Sequence, residues 1–404
     1  MSANATGPAR AQPRRRLFAA LLTVLVMAVV GAGMAGAFWV GRHASERMNK
    51  DLATITMVSG SPLSLYDVLA ADSVQSVEDP AFAAIYGVPP GDPQALAKRL
   101  RAVVYSPAAQ PAPFVGHVAR PVKGGDLTIN GFGFRDTRRS YSDKPPGTVR
   151  VFITGGSTAW GSGAPSQRQT ISHLLEDMLN ARAAGGMRYE VINAAFPAWS
   201  TTQEKILIQQ VIADLRPDVV IMVSGNNDVH WSLQGEDIRW FFSYADRNFV
   251  TMVNGLYHGI GQLEWMTPVA REAPPRPCAE LGPLSSRNAQ EAAFALARLP
   301  ARLVFALQPN LMTTAKPLTP REQRLVKADG RAYWAECYRS MIAHLGRLAA
   351  GNFQFLDLSR MFGEVDGGTE LFIDNYHFAE LGNKLVAEAL ARRIDWAAIA
   401  PASR

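Results

Sequence analysis

Cysteine is scarce: Cys278 and Cys337 are the only two among 404 residues, and no Cys-x-x-Cys spacing occurs. The seven histidines are scattered, with no His-x-x-x-His or Cys/His ligand pattern. These two absences leave no sequence basis for a structural or catalytic metal, and no cofactor is expected. Charge is sparse as well, at 19% of residues, with 41 basic against 35 acidic side chains and a formal net charge of +6. A basic excess points to nucleic acid or an anionic membrane surface only where it is clustered. The one block is Arg14-Arg15-Arg16, and no nucleic-acid-binding module is legible, so nucleic acid is not expected as a partner.

What the chain has in quantity is apolar residues, 48% of the total, enough to bury a sizeable core in one large domain with appendages or in two domains. Residues 1–16 form a polar tail ending in the arginine block. Leu17 to Val40 then runs without a charge, long enough for a bilayer core that takes about 20 apolar residues. Arginines before the run and mixed charge after it place the N-terminus in the cytoplasm and the rest of the chain outside. A cleaved signal peptide is the rival, since Ala35-Gly36-Ala37 resembles a cleavage site and Arg15-Arg16-Leu17-Phe18 faintly resembles a twin-arginine signal. The run exceeds the usual signal core of about 7–15 residues, which favours a retained single-pass anchor.

Residues 41–146 show no sustained periodicity, only short amphipathic pieces at Ser64–Ala71 and Pro93–Val103, and read as a stalk or accessory region that partly wraps the main domain. From Thr148 the pattern changes to alternating strands and helices. Val149–Thr154, Tyr189–Asn193, Val219–Ser224, Leu303–Leu307 and Phe353–Leu358 read as strands. Thr170–Ala184, Thr202–Leu215 and Phe378–Ile394 carry helical spacing. Repeated βα units imply a parallel sheet covered by helices on both faces. The main domain is therefore expected over 147–400, with an aromatic-rich insertion at 229–301. The aromatics there, among them Trp231, Trp240 and Tyr244, suit either the insertion's own core or a stacking surface for sugars, and packing is the commoner fate.

Three stretches carry chemistry. Val149 to Gly163 reads VRVFITGGSTAWGSG: a buried strand, two glycines that let the backbone turn sharply, then Ser157. By itself this suits an ordinary polar turn and helix start, because Ser and Thr are good N-caps. Val219 to Asp228 reads VVIMVSGNND, a second buried strand ending in Gly-Asn-Asn-Asp. Phe372 to Gly382 reads FIDNYHFAELG, with Asp374 and His377 three residues apart before the last helix. In that order the three stretches resemble the SGNH (GDSL-like) hydrolase family over roughly Asn130 to Ile394. They are specific as a set and weak singly. The resemblance implies a flavodoxin-like three-layer α/β sandwich with a central parallel sheet, here preceded by one transmembrane helix.

It also implies roles. Ser157 would be the nucleophile, His377 the base that takes its proton, and Asp374 the group that fixes the imidazole tautomer. The oxyanion donors would be the Ser157 N–H, the Asn227 side-chain amide and the N–H of Ala198, which stands where the family has a glycine within a stretch like VINAAFPAWST. Alanine keeps the backbone donor, though its methyl would narrow the pocket. Gly156 likewise replaces the usual aspartate before the serine, as in membrane-linked relatives with Gly-Gly-Ser. Leu127 to Asp136, LTINGFGFRD, resembles the Asn-x-x-Gly-Phe-Arg segment of those relatives. It suits equally an edge strand and turn with Arg135 in a surface ion pair. Other phosphate and ester chemistries fail on residues: the glycine loop lacks a P-loop lysine, and Gly-x-Ser-x-Gly fails at Ala159.

The sequence thus reads as a membrane-anchored serine esterase or O-acyltransferase, with its main domain in the periplasm or outside the cell. Its substrate would be an ester, an O-acyl group on an extracytoplasmic carbohydrate. The alternative is a non-catalytic scaffold subunit of a membrane complex. An exported chain folds where disulfides persist, so Cys278 and Cys337 are expected to pair.

Overall fold

Val, Ile and Phe crowd the five strand-like runs, and a β-branched run with apolar residues on both faces is stable only between two covering layers. In the computed structural model they form one parallel sheet: β1 (Thr148–Gly155), β2 (Arg188–Asn193), β3 (Val219–Ser224), β4 (Arg302–Leu307) and β5 (Phe353–Asp357). The strand order is β5-β4-β3-β1-β2, and each neighbouring pair is parallel. This 2-1-3-4-5 order is the flavodoxin-like doubly wound arrangement. Every residue of β1 and β3 is buried, whereas the edge strand β5 is largely half-buried.

Residues 62–72, 80–89, 91–124, 126–259, 273–326, 328–349 and 351–399 are described. The chain divides into two units, Met1–Val58 with Val250–Pro268 and Ser59–Phe249 with Val269–Arg404. Of the first, the described residues are 250–259, the end of the helix Tyr244–Gly259. The second holds the sheet and the site. The tail 1–16 and the apolar run 17–40 that was read as an anchor lie outside the described residues. No helix among the described residues is long and apolar enough to cross a membrane.

Six helices order the strand ends: α1 (Ser157–Trp160), α2 (Ile171–Asn180), α3 (Thr201–Gln210), α4 (Asn226–Leu233), α5 (Cys278–Leu296) and α6 (Ala328–Leu345), followed by the closing α7 (Glu380–Arg393). The starts of α2 and α3 are written in their caps. Thr170 accepts the His173 N–H, and Ser200 with Gln203 makes a reciprocal capping box. Helices α2 and α7 pack together, and α5 packs on both α3 and α6. Right-handed crossovers put the first pair on one face of the sheet and the other three helices on the opposite face. Helix α5, which falls inside the stretch 229–301, is the crossover between β3 and β4. The aromatics of that stretch divide. Trp231 is fully buried, with Phe241 and Tyr244 against it at ring-centroid distances of 4.9 and 4.8 Å, while Trp240 is 84% exposed.

Residues 62–146 hold more order than their weak periodicity suggests: helices Leu65–Asp72, Pro80–Ile85 and Pro93–Ala102, and three antiparallel two-stranded ribbons. Arg135 lies not on the surface but 4% exposed, without a carboxylate partner among the described residues. Its guanidinium sits over the Trp160 ring at 4.3 Å and donates to the carbonyls of Trp160 and Gly161 at 3.0 and 3.3 Å. Burial pushes its pKa down to about 9. The surface ion pair is thus replaced by a clamp on the C-terminal carbonyls of α1, where a cation is favourable.

Cys278, at the start of α5, and Cys337, in α6, form a disulfide with Cα atoms 4.5 Å apart. The two cysteines are 59 residues apart in the chain, and closing a loop of that length in the unfolded ensemble stabilises by about 4 kcal/mol in the chain-entropy model. The Cys278→Ala/Cys337→Ala variant is expected to lose up to that much in urea unfolding without losing the fold. An unchanged midpoint would show that the helix packing alone fixes this corner.

Candidate active site

Ser157 is the first residue of α1, directly after β1 and the Gly155-Gly156 turn. Gly155 has φ +147°, and a Cβ there would fall 2.4 Å from the Val223 carbonyl oxygen. A Cβ on Gly156 would fall 2.1 Å from the Asn227 amide nitrogen. The missing aspartate before Ser157 therefore has a steric reason: Asn227 fills that space. Asn227 cannot move aside cheaply, because its amide donates to the Trp199 carbonyl at 2.7 Å.

Asp374 and His377 lie in a tight loop closed by the Phe372–Phe378 bridge and by the Ile373 N–H donating to the His377 carbonyl at 2.9 Å. This loop follows β5 at a distance, after the one-turn helix Met361–Glu364, rather than at the strand end itself. The Ser157 Oγ is 2.5 Å from His377 Nε2, and His377 Nδ1 is 2.6 Å from Asp374 Oδ2. With a carboxylate on Nδ1, the network assigns the proton to that nitrogen and leaves Nε2 as the acceptor of the serine hydrogen. The other Asp374 oxygen accepts the N–H groups of Tyr376 and His377, both at 2.8 Å. Burial works to raise the Asp374 carboxyl, but the adjacent imidazole and these hydrogen bonds outweigh it and hold the acid below its usual value.

Ala198 sits in the left-handed region at φ +70°, a conformation that glycine adopts freely and that costs alanine about 1 kcal/mol. Its carbonyl accepts the Trp231 Nε1–H at 2.9 Å, and the next carbonyl, of Trp199, is the one held by Asn227. Two consecutive carbonyls are thus tied to α4. The Ala198 N–H donates to nothing among the described residues. The Ser157 N–H, at the first position of its helix, has no partner within α1.

Several groups that sequence reasoning did not single out hold these parts. Glu204 on α3 accepts the Thr154 hydroxyl at 2.8 Å and the Ser224 hydroxyl, joining the ends of β1 and β3. Asp228 accepts the Thr201 N–H at 2.9 Å, the Thr201 hydroxyl at 2.8 Å and the Ser285 hydroxyl at 2.7 Å, tying α4 to α3 and α5. Gln308 donates to the Thr158 hydroxyl at 2.8 Å, and that hydroxyl donates to the Tyr376 carbonyl at 3.3 Å. Helix α1 and the Asp374–His377 loop are thereby linked. His230 reaches toward the site through the Tyr376 ring, with centroids 5.6 Å apart. Burial first, and the His377 charge second, lower its pKa to about 4 and keep it neutral. Tyr105, from the strand Val104–Ser106, places its hydroxyl 3.2 Å from His377 Nδ1. No local pattern marks any of these, because each is defined by a partner remote in the chain.

A groove of about 490 Å³ lies elsewhere, lined by Ile85, Pro320, Glu370 and Leu381 among others, and includes neither Ser157 nor His377. Among the described residues no cluster of His, Cys, Asp and Glu is suited to a metal ion.

No protein-family profile and no curated protein matches the chain. In structure it is similar to an acetyl xylan esterase (16% identity, TM-score 0.35, covering 62% of this chain and 100% of that one). It is also similar to an acetylxylan esterase from Geobacillus stearothermophilus (12%, TM-score 0.37, 61% and 94%) and to a lipase/acylhydrolase from Enterococcus faecalis (16%, TM-score 0.34, 63% and 100%). A lipolytic protein of the G-D-S-L family from Desulfitobacterium hafniense is described as putative and aligns at 13% identity with a TM-score of 0.33, covering 61% of this chain and 99% of that one.

Two outcomes test this geometry. Gly156→Asp introduces the residue usual in the resembled family and is expected to displace the Asn227 amide from the Trp199 carbonyl, visible as loss of that 2.7 Å hydrogen bond in a crystal structure of the variant. A variant structure with that bond intact would show that Asn227 has room to yield. Glu204 is fully buried, and burial pushes its pKa up to about 8, with Asp228 adding to the rise and the two hydroxyls opposing it. The folded state then keeps this proton up to about pH 8 while the unfolded chain releases it near the ordinary value. The folded state binds more protons across that window, so stability falls as pH rises through it. Glu204→Gln is expected to flatten the slope of unfolding free energy between about pH 5 and pH 8, measured in urea at a series of pH values.

Proposed function

We propose that the chain is a serine esterase or O-acyltransferase of the SGNH type. One observation carries the reading: the Ser157–His377–Asp374 hydrogen-bond relay, with its two contacts of 2.5 and 2.6 Å. Three side chains of these types in this order constitute a general-base-activated nucleophile. The Ser157 Oγ attacks the carbonyl carbon of an ester while its proton passes to His377 Nε2. Asp374 stabilises the imidazolium that forms. The carbonyl oxygen becomes an oxyanion, with the N–H groups of Ser157 and Ala198 and the second N–H of the Asn227 amide as its donors. As the tetrahedral intermediate collapses, His377 returns the proton to the departing alcohol and the acyl group remains on Ser157. Water or a second hydroxyl then attacks that acyl group, its proton again taken by His377.

The substrate is proposed to be an O-acyl group on an extracytoplasmic carbohydrate, and the enzyme a single-pass protein of the cytoplasmic membrane held by residues 17–40. Support comes from the charge-free length of that run with arginines before it, and from the Cys278–Cys337 disulfide, a bond that persists outside the cytosol. An intact relay weighs against a purely scaffolding role.

The test is covalent labelling by a fluorophosphonate, together with hydrolysis of p-nitrophenyl acetate. Labelling should require Ser157, and Ser157→Ala and His377→Ala should each lose about 10⁴–10⁶-fold in turnover, without their losses adding in the double variant. Asn227→Ala should lower kcat by about 100- to 1,000-fold with little change in KM. A wild-type chain that resists the label and turns over no ester would leave the scaffold reading in possession.

A further inference from the structure

We propose that the segment 62–106 is a positioning cap for the catalytic base, and that Tyr105 is its point of contact, its phenol oxygen serving as a second acceptor for the His377 Nδ1–H. The inference rests on the acyl-transfer reading of the site.

The Tyr105 oxygen lies 3.2 Å from Nδ1, and the two rings meet edge to face with centroids 5.1 Å apart. Nδ1 carries one hydrogen, already directed at Asp374 Oδ2 at 2.6 Å. A phenol oxygen at the longer distance shares that hydrogen as an acceptor, a bifurcated arrangement that holds the ring against rotation about its Cβ–Cγ bond. When Ser157 yields its proton, the ring becomes a cation, and the oxygen's lone pairs face the charge that develops.

The cap is anchored on both sides of the relay. The Tyr105 carbonyl accepts the Ser162 hydroxyl, and the Tyr86 hydroxyl donates to the Gly163 carbonyl at 3.1 Å. Both partners, the Ser162 donor and the Gly163 acceptor, lie in the loop that follows the Ser157 helix. The cap's own apolar core, with Leu65, Leu96, Leu100 and Val103, takes in Ile373 and Ala379. Those two residues bracket Asp374 and His377 in sequence, so the same packing that folds the cap grips the loop bearing acid and base. Among the described residues the titratable groups facing His377 are Asp374 and Tyr376 from its own loop, Tyr105 from the cap and His230 beyond the Tyr376 ring, with the Ser157 hydroxyl on the far nitrogen. Tyr105 bonds the back of the imidazole and not the attacking serine, so it is a positioning residue.

Tyr105→Phe keeps the ring, the strand and the edge contact and removes the oxygen alone. In the full-length chain, p-nitrophenyl acetate turnover should show kcat lowered about five-fold, the value of one modest hydrogen bond, with KM unchanged. The acid limb of the kcat–pH profile should move to lower pH, because the imidazolium loses an acceptor. By NMR, the His377 imidazole in a Ser157→Ala background should titrate at lower pH when Tyr105→Phe is added. Thermal unfolding should be nearly unchanged, which separates positioning from folding. A folded Tyr105→Phe protein with unaltered kcat, acid limb and His377 titration would overturn the proposal. Absence of Ser157-dependent turnover in the wild type would overturn the acyl-transfer reading instead, while the NMR titration, which needs no turnover, would still decide whether Tyr105 acts on His377.

Discussion

Strand β1 has no face on solvent, so every polar group it carries must find a partner inside the protein or lose far more than a surface residue would. Arg150, 1% exposed in this strand, meets that demand in full, although the buried Thr148 hydroxyl at the strand's start finds no partner among the described residues. Its guanidinium donates to Glu190 on β2 at 3.1 Å and to the carbonyls of Tyr141, Asp143 and Leu215 at 2.7, 2.7 and 2.9 Å. Its N–H reaches Asp218 at 2.6 Å. One buried cation thus collects the approach to β1, the neighbouring strand and the approach to β3 at one end of the sheet. Removing one side of such a buried ion pair leaves the other charge uncompensated, typically a cost of about 3–5 kcal/mol. At the other end, Thr154 is answered by Glu204 and the backbone escapes through two glycines. The position of Ser157 follows from a strand fixed at both ends.

The side of the site that carries Asn227 is built by the same economy of partners. Asn227 belongs to α4, and α4 is secured by Asp228, whose carboxylate receives three hydrogen bonds from α3 and α5. Helix α4 in turn holds the carbonyls of Ala198 and Trp199 through Trp231 and Asn227. Pinning two consecutive carbonyls fixes the chain just after Ala198, the residue held at positive φ. Burial raises the pKa of both Glu204 and Asp228 from the ordinary value, whereas the imidazole of His377 and the loop's hydrogen bonds outweigh burial and lower that of Asp374.

What the sequence makes legible is what local pattern encodes. The strands are readable because β-branched runs with no charged face have few alternatives, and their observed ends differ by at most one residue. Two helices, by contrast, start at the caps Thr170 and Ser200 but stop at Asn180 and Gln210, four and five residues short of the helical spacing. Ser157, Asp374 and His377 were readable because their motifs are short and each sits beside a strand or a helix start. Of the two readings open for Leu127 to Asp136, the surface ion pair rests on the usual exposure of an arginine in a turn, and the structure does not bear it out. The burial of Arg135 depends on the Trp160 ring and two carbonyls some 25 residues on. Glu204 and Tyr105 were invisible for the same reason, since their partners are brought by the sheet and by the cap. The space denied to an aspartate at Gly156 was equally hidden, because the obstructing amide comes from the end of β3.

The relay joins residues 220 positions apart in the chain, and no single element can place both. Ser157 is placed by β1, while His377 is placed by a loop that packs into the core of the segment before the sheet. A small displacement of either partner breaks a contact that the proposed acyl transfer needs within a few tenths of an ångström. The direct ties between α1 and the loop are few: the Ser157–His377 bond itself and the Thr158 hydroxyl, supported by Gln308. Arg321 donates to the Phe372 carbonyl and Glu322 accepts the Leu371 N–H at the start of that loop. Further restraint comes from 62–106, which touches the loop after α1 through the Tyr86 hydroxyl and the Tyr105 carbonyl and packs on Ile373 and Ala379, on either side of Asp374 and His377. A region with the weakest sequence signal thus stands at the joint between Ser157 and His377. Weak periodicity there reflects a cap whose few apolar residues are shared with the main domain, rather than the absence of a structural task.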